Sequence, residues 1–243
     1  MSALSGKVVL VTGASGGIGR AVARLCHSQG ATVALHQRSG AAESKALVRG
    51  LGARAEAFRA DFARPGEPRR LVAAVLRRFG RLDLLVNNAG AVVGDDDFLD
   101  MSEKDWETTL RVNLQAPFFL AREAFRAMKG RGGRIVNVSS IAAKFGGSPR
   151  SAHYAAAKAG LEATTVALAR FGAPHGVLVN TVRPGVIDTP FHGKFRKDMA
   201  ARVAMVPLRR MGRPEDVARM VVYLAGPGGD FITGQTLCVT GGE

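Results

Sequence analysis

Thr12-Gly13-Ala14-Ser15-Gly16-Gly17-Ile18-Gly19 decides the fold. The octet follows an apolar run, Val8 to Val11, that suits one buried strand, and it opens a segment of helical period. Strand, glycine turn and helix in that order place backbone N–H groups at a helix N-terminus, where they and the helix dipole receive a pyrophosphate. Three residues separate Gly13 from Gly17, so the spacing departs from G-x-G-x-x-G. The strand-to-helix setting therefore carries the dinucleotide reading, with Gly13, Ser15, Gly17, Ile18 and Gly19 as expected contacts.

The alternation continues along the chain. Strands are expected at 7–11, 31–36, 55–59, 82–87, 134–139, 177–182 and 237–239, and helices at 17–29, 41–51, 67–79, 102–128, 153–171 and 214–225. Short apolar runs interleaved with longer amphipathic segments make an α/β protein: a Rossmann-type doubly wound sheet of seven mainly parallel strands with helices on both faces. Ser102, three residues before Asp105, reads as a capping box, and Gly30, Gly80 and Gly130 stand where helices should stop. With 243 residues, 47% of them hydrophobic, one core can be filled, so a single domain over 1–243 is expected. A Gly/Pro-bearing stretch over 184–212 breaks the pattern, and 186–212 of it is expected to form an integral substrate lid.

Composition narrows the function. No apolar run approaches the roughly 20 residues that span a bilayer, and the first strand begins too early to leave room for a leader, so a cytoplasmic protein without a membrane partner is expected. Cys26 and Cys238 are too few and too far apart for a disulfide framework or a thiolate metal site. The net charge of +14 comes from basic residues in twos and threes among acids, as at Arg77-Arg78 and Arg209-Arg210. No nucleic-acid module accompanies them, so a nucleic-acid partner is not expected, while acidic substrates or carriers stay open. His27, His36, His153, His175 and His192 show no ligand spacing, and Asp95-Asp96-Asp97 reads as a solvated loop; no metal is expected. His153 is at most pocket lining.

The second strand ends His36-Gln37-Arg38-Ser39, with no carboxylate to take the ribose hydroxyls of NAD and with a guanidinium fork suited to a 2′-phosphate. NADP(H) is therefore the preferred cofactor, with NAD(H) possible. Tyr154 and Lys158, four apart in a helical segment, share one face. Ser139-Ser140 ends the preceding strand at the carboxyl edge where such sheets place ligands. Lowering a phenol by about three pKa units to near neutrality requires about 4 kcal/mol of preferential phenolate stabilisation, part of which Lys158 can supply. A serine hydroxyl beside the phenol, Ser140 by preference, can hydrogen-bond a substrate oxygen as charge develops on it.

In these motifs the chain resembles the short-chain dehydrogenase/reductase family, in its compact single-domain branch, over essentially its whole length. Thr12 to Gly19 looks like the family's TGxxxGxG turn, Asn87-Asn88-Ala89-Gly90 like its NNAG segment, and Ser140, Tyr154 and Lys158 like its catalytic triad. Asn113 resembles the fourth active-site member, and Pro184-Gly185-Val186-Ile187-Asp188-Thr189-Pro190 the segment closing over the nicotinamide. The resemblance implies Tyr154 as acid/base, Ser140 polarising the carbonyl, Lys158 on the nicotinamide ribose and Asn113 supporting a water-linked proton path. It further implies Asp61 near the adenine, Asn88 and Gly90 near the adenosine ribose, and Ile187 and Thr189 near the carboxamide. Phe62, Ala89, Pro184 and Gly185 join these cofactor-binding positions. Asn87 and Asn88 could equally form a turn, Asn113 bend a helix and Asp61 cap the segment before Pro65.

Three positions depart from the pattern. Tyr154 follows Ser140 by fourteen residues, one more than in many relatives, so Ser139 stays open as the working hydroxyl. Gly16 replaces a basic residue found in many NADP-dependent relatives, and Thr240 stands where Asp is frequent. Phe191, His192, Phe195 and Met199 line the substrate side of the lid or pack a short helix over the core. The implied activity is reduction of a ketone by NADPH, as in 3-oxoacyl-carrier-protein reductases, on a small-molecule or carrier-bound carbonyl substrate. Oxidation of a sugar or other secondary alcohol with NADP or NAD is the alternative. A non-catalytic dinucleotide-binding regulator is the reading from another class. A homotetramer or homodimer is implied, packing across a twofold axis through 102–128 and 153–171.

Overall fold

Strand β1 (Val8–Val11) shows why the sheet must be covered on both faces. Val9 and Val11 pack into one buried cluster, Val8 and Leu10 into another, and all four are buried. A strand apolar on both faces belongs in the middle of a parallel sheet between helical layers. The computed structural model describes residues 2–39, 42–94, 96–190 and 199–243. In it β1 lies between β2 (Thr32–Gln37) and β4 (Leu84–Asn87), and the full order is β3-β2-β1-β4-β5-β6-β7. The other strands are β3 (Ala55–Arg59), β5 (Gly133–Val138), β6 (Val177–Pro184) and β7 (Thr236–Val239). Every pairing is parallel.

Helices α1 (Gly17–Ser28), α2 (Ala42–Leu51) and α9 (Pro214–Ala225) cover the face of Val9 and Val11. Helices α3 (Glu67–Phe79), α5 (Ala116–Met128) and α7 (Ala152–Gly172) cover the other. The expected Rossmann-type architecture is therefore observed, with its strand order reversing between β1 and β4. Such a switch point opens a crevice at the carboxyl ends of the strands, and both the glycine turn and the 87–90 segment leave the sheet there.

The helix expected at 102–128 is broken. It forms α4 (Glu103–Leu110), a π-helical turn at Arg111–Gln115, and α5. Two residues cause the break. Asn113 Nδ2 donates to the Thr109 carbonyl at 2.8 Å, occupying the acceptor that the Asn113 backbone N–H would take in a regular helix. Pro117, four residues on, has no N–H to return to the Asn113 carbonyl. Two short helices lie beyond the expected set, α6 (Ala142–Phe145) and α8 (Met199–Ala204). Half of the expected capping box forms: Ser102 Oγ accepts from the Asp105 N–H at 3.1 Å, while the Asp105 carboxylate accepts the Ser102 hydroxyl at 2.9 Å instead of the Ser102 N–H. In the lid stretch, Ile187 bridges to Gly212 in parallel register. Met199 begins α8, whereas Phe191, His192 and Phe195 lie outside the described residues, as does Asp95.

Candidate active site

A cleft of about 430 Å³ sits over the carboxyl ends of β1, β4 and β5. Its floor at one end is the glycine turn. Gly13 has φ +65°, and a Cβ there would stand 2.9 Å from Ala89 Cα. Gly17 has φ +50°, and its missing side chain leaves room for Thr189. Both positions therefore require glycine. No acidic residue stands in the first turn of α1, so the helix N-terminus faces the cleft without a competing negative charge. Those features fit a dinucleotide pyrophosphate.

Side chains outside the octet hold the turn, together with its first residue. Thr12 Oγ1 accepts the N–H groups of Asn88 and Ala89, each at 2.9 Å, and donates to the Val86 carbonyl at 3.2 Å. Asn88 Nδ2 donates to the carbonyls of Thr12 and Gly13 at 2.8 and 3.2 Å. Asn88, Ala89 and Gly90 line the cleft, but the amide of Asn88 is taken up by the turn. His36, absent from the expected site, accepts the Gly13 N–H at Nδ1 and bonds the Ala60 carbonyl through Nε2. Phe62 stacks on that imidazole with ring centroids 4.2 Å apart and is buried. The signal for His36 was positional, a polar residue ending the strand beside β1.

Ser15, Gly17 and Ile18 line the cleft, whereas Gly19 lies behind it, against the Gly13 carbonyl. Arg38, just beyond β2, is exposed and does not border the cleft; its backbone carbonyl accepts from Arg59 Nε at 3.2 Å. Asp61 accepts the Ala63 N–H at 3.1 Å and faces Arg64, forming the turn before Pro65. Neither Asp61 nor Phe62 borders the cleft.

At the inner end, α7 brings Tyr154 and Lys158 to the wall formed by β5. Tyr154 hydrogen-bonds Ser140, whose Oγ also accepts the Ala142 N–H at 3.2 Å. Ser139 points elsewhere, toward the Lys158 carbonyl at 3.4 Å. The geometry thus selects Ser140 as the tyrosine's neighbour. Burial pushes the Tyr154 phenol up to about 12, against the Ser140 hydrogen bond, which lowers it. Burial likewise pulls the Lys158 ammonium down to about 8. Lys158 Nζ donates to the Val138 carbonyl at 2.8 Å and stands 5.6 Å from the Tyr154 ring centre.

Asn113 is fully buried beneath this corner. Its Oδ1 accepts the Ala91 N–H and its Nδ2 reaches the Ala91 and Thr109 carbonyls. A Cβ at Gly90 would meet both Asn113 Oδ1, at 2.7 Å, and Lys158 Nζ, at 3.4 Å. The amide is thus next to the lysine, one glycine away. Pro184, Gly185, Ile187 and Thr189 form the far wall. Thr240 Cα would lie 2.8 Å from a Cβ on Gly185, and its hydroxyl donates to the Glu243 carbonyl, so Thr240 shapes the backing of that wall. His153 is buried against Val93 and Trp106, off the cleft. No group of three or more potential metal ligands occurs among the described residues.

The model of the family described as "Enoyl-(Acyl carrier protein) reductase" matches residues 13–243. The chain belongs to the short-chain dehydrogenase/reductase family. Members of this family are oxidoreductases acting on CH–OH and C=O groups, and so is this one. The short-chain dehydrogenase is 39% identical to the 3-oxoacyl-[acyl-carrier-protein] reductase FabG of Vibrio cholerae, with 98% of each chain covered. It is 40% identical to an L-rhamnose 1-dehydrogenase (NAD(P)(+)) of Azotobacter vinelandii, covering 97% of this chain and 96% of the relative. Among solved structures it matches a short chain dehydrogenase from Burkholderia cenocepacia in complex with NADP, with a TM-score of 0.93, 38% identity and 98% of each chain covered. No helix among the described residues is long and apolar enough to cross a membrane.

Proposed function

We propose that the protein is an NADP(H)-dependent reductase of a ketone, with Tyr154 as proton donor. The observation that carries this is the Ser140–Tyr154–Lys158 arrangement facing a cleft whose other end fits a pyrophosphate. The dinucleotide, when bound, supplies the hydride. The chain's own residues do the rest. Tyr154 donates its proton to the carbonyl oxygen, and the buried Lys158 ammonium stabilises the phenolate left behind. Ser140 hydrogen-bonds the same oxygen as negative charge grows there. Lys158 also holds the nicotinamide ribose. Asn113, fixed in the π-turn beside Gly90, supports a water-linked path that returns the proton.

Gly13, Ser15, Gly17 and Ile18 would cradle the pyrophosphate, with Gly19 supporting the turn from behind. Asn88, Ala89 and Gly90 would border the adenosine ribose, Asp61 and Phe62 the adenine end. Pro184, Gly185, Ile187 and Thr189 would face the nicotinamide, and Arg38 the 2′-phosphate. The NADP-bound structural relative and the missing carboxylate at the end of β2 support NADP(H) over NAD(H). Segment 186–212, of which 191–198 lie outside the described residues, is the proposed lid over the substrate side of this single domain.

A 3-oxoacyl thioester on a carrier is the substrate class we favour, because the basic surface suits an acidic carrier. Oxidation of a sugar fits the rhamnose dehydrogenase relative equally well in identity. We assign a cytoplasmic homotetramer or homodimer, supported by the free thiols of Cys26 and Cys238 and by exposed Trp106 and Phe118 on α4 and α5. The test is consumption of NADPH with ketones, 3-oxoacyl carrier thioesters and, in reverse, sugars, repeated with Tyr154→Phe. Expected are turnover by the wild type, faster with NADPH than NADH, and a loss of about 10²–10⁴-fold in the variant. Binding of NADPH with no turnover in either direction would overturn the enzyme reading.

A further inference from the structure

One half-buried ion pair, a helical turn along α7 from the proposed lysine, is untouched by this mechanism. Glu162 stands one helical turn beyond Lys158 on α7, on the same face by the i,i+4 rule. Arg183 of β6 grips it with both arms of its guanidinium: Nε meets Glu162 Oε1 at 2.9 Å, and Nη2 bonds Oε2. The two side chains are only 14% and 19% exposed, so solvent screens them little. Lys158 itself is buried and, among the described residues, has one hydrogen-bond acceptor, the Val138 carbonyl. A buried ammonium with so little support tends to lose its proton. Glu162 is the carboxylate whose charge opposes that loss.

Among the described residues Lys158 meets few other charges. Tyr154 precedes it by one turn, β5 presents the Val138 carbonyl and the neutral Ser139, and the π-turn presents the neutral Asn113. From β6 comes Arg183, and beyond it the Cys238 thiol of β7, 3.8 Å from Arg183 Nη1. Arg134, at the far end of β5, is paired with Asp230.

We propose that Glu162, gripped by Arg183, is a positioning residue that keeps Lys158 in its ammonium form. This role rests on the catalytic reading above but is separable from it. The pair makes opposite predictions for its two halves. Removing the carboxylate strips support from the ammonium, whereas removing the guanidinium leaves the carboxylate unneutralised and strengthens that support. A pair that mattered only for packing would be damaged alike from either side.

The experiment is competitive acylation of the intact protein with acetic anhydride across pH, reading Lys158 by peptide mass spectrometry, in wild type, Glu162→Gln, Glu162→Asp and Arg183→Gln. The Lys158 inflection is expected to fall by about half a unit or more in Glu162→Gln, to rise by a similar amount in Arg183→Gln, and to return toward wild type in Glu162→Asp. The alkaline limb of ketone reduction should move with it, because Tyr154 and Lys158 both hold their protons more tightly beside an added negative charge. An inflection unmoved in both variants, or moved in the same direction, overturns the proposal. If Tyr154→Phe keeps wild-type turnover, the catalytic reading fails instead, whatever the acylation shows.

Discussion

His36 Nδ1 accepts the backbone proton of Gly13 at 3.1 Å, which ties the end of β2 to the first glycine of the turn. An acceptor at Nδ1 places the ring proton on Nε2, facing the Ala60 carbonyl at 3.0 Å, so the folded site holds a neutral imidazole. Burial holds His36 down from 6.5 to about 4, against the Ala60 hydrogen bond and the Glu67 charge, which both raise it. The unfolded chain therefore takes up this proton first. Stability from this group is complete above about 6.5 and is lost as pH falls toward about 4, an effect of about 3 kcal/mol in all. Urea unfolding of the wild type should weaken over that window, and His36→Phe should remove this component. The variant should also bind NADPH about tenfold more weakly, the size of one lost hydrogen bond. A wild-type stability flat between those pH values would refute the assignment.

The two serines give a sharper test of the catalytic corner. Ser140 bonds Tyr154, whereas Ser139 bonds the Lys158 carbonyl from a buried position. Ser140→Ala should lower kcat by about 10²–10³-fold with little change in NADPH affinity. Ser139→Ala should cost about 1 kcal/mol of stability and leave most of the turnover. Steady-state kinetics on both variants decides, and the reverse ranking would move the role to Ser139.

Much of this arrangement was legible because its signals are local and strong. The period of the apolar residues marks out α3 and β3 with the bounds observed, and the Tyr154–Lys158 interval puts both side chains on one wall. The misses are nonlocal. Asn113 was legible as a residue able to bend the helix, and it does so on the Thr109 carbonyl, but the place and size of the break depend on the sheet fixing Ala91 nearby. The clamps from Thr12, His36 and Asn88 depend on β1, β2 and β4 standing side by side, which only the topology supplies. Helix α6, four residues long, carries too little sequence for any periodicity. Strand β6 runs on to Pro184, beyond its expected end at 182, because β7 pairs with it there, Pro184 standing opposite Val239.

Cofactor choice should turn on two positions. Arg38 is exposed at the end of β2, with no carboxylate on that strand end. Arg38→Ala should raise the NADPH dissociation constant by about 10–100-fold, the loss of a charge-assisted contact, while NADH binding stays within about twofold. Conversely, a Cβ at Gly16 would meet nothing within 4 Å, so a larger residue fits. Gly16→Arg should tighten NADPH relative to NADH. Fluorescence titration of both cofactors checks each, and equal losses for NADPH and NADH in Arg38→Ala would refute the 2′-phosphate role.

Gly19 makes the opposite case to Gly16 within the same octet. A Cβ there would stand 2.3 Å from the Gly13 carbonyl oxygen and 2.5 Å from Asn88 Nδ2. The first of these is backbone, which can move only by reshaping the turn, and the second is the amide that holds the turn in place. Gly19→Ala should therefore cost about 1–3 kcal/mol through overpacking at a site that cannot relax. Its cofactor affinity should fall more than its stability alone explains, because the Asn88 bonds to Thr12 and Gly13 are displaced. Gly16→Ala, in open space, serves as the control and should match wild type in both thermal unfolding and NADPH titration. If Gly19→Ala unfolds and binds NADPH as the control does, the turn is not braced from behind in the way its geometry requires.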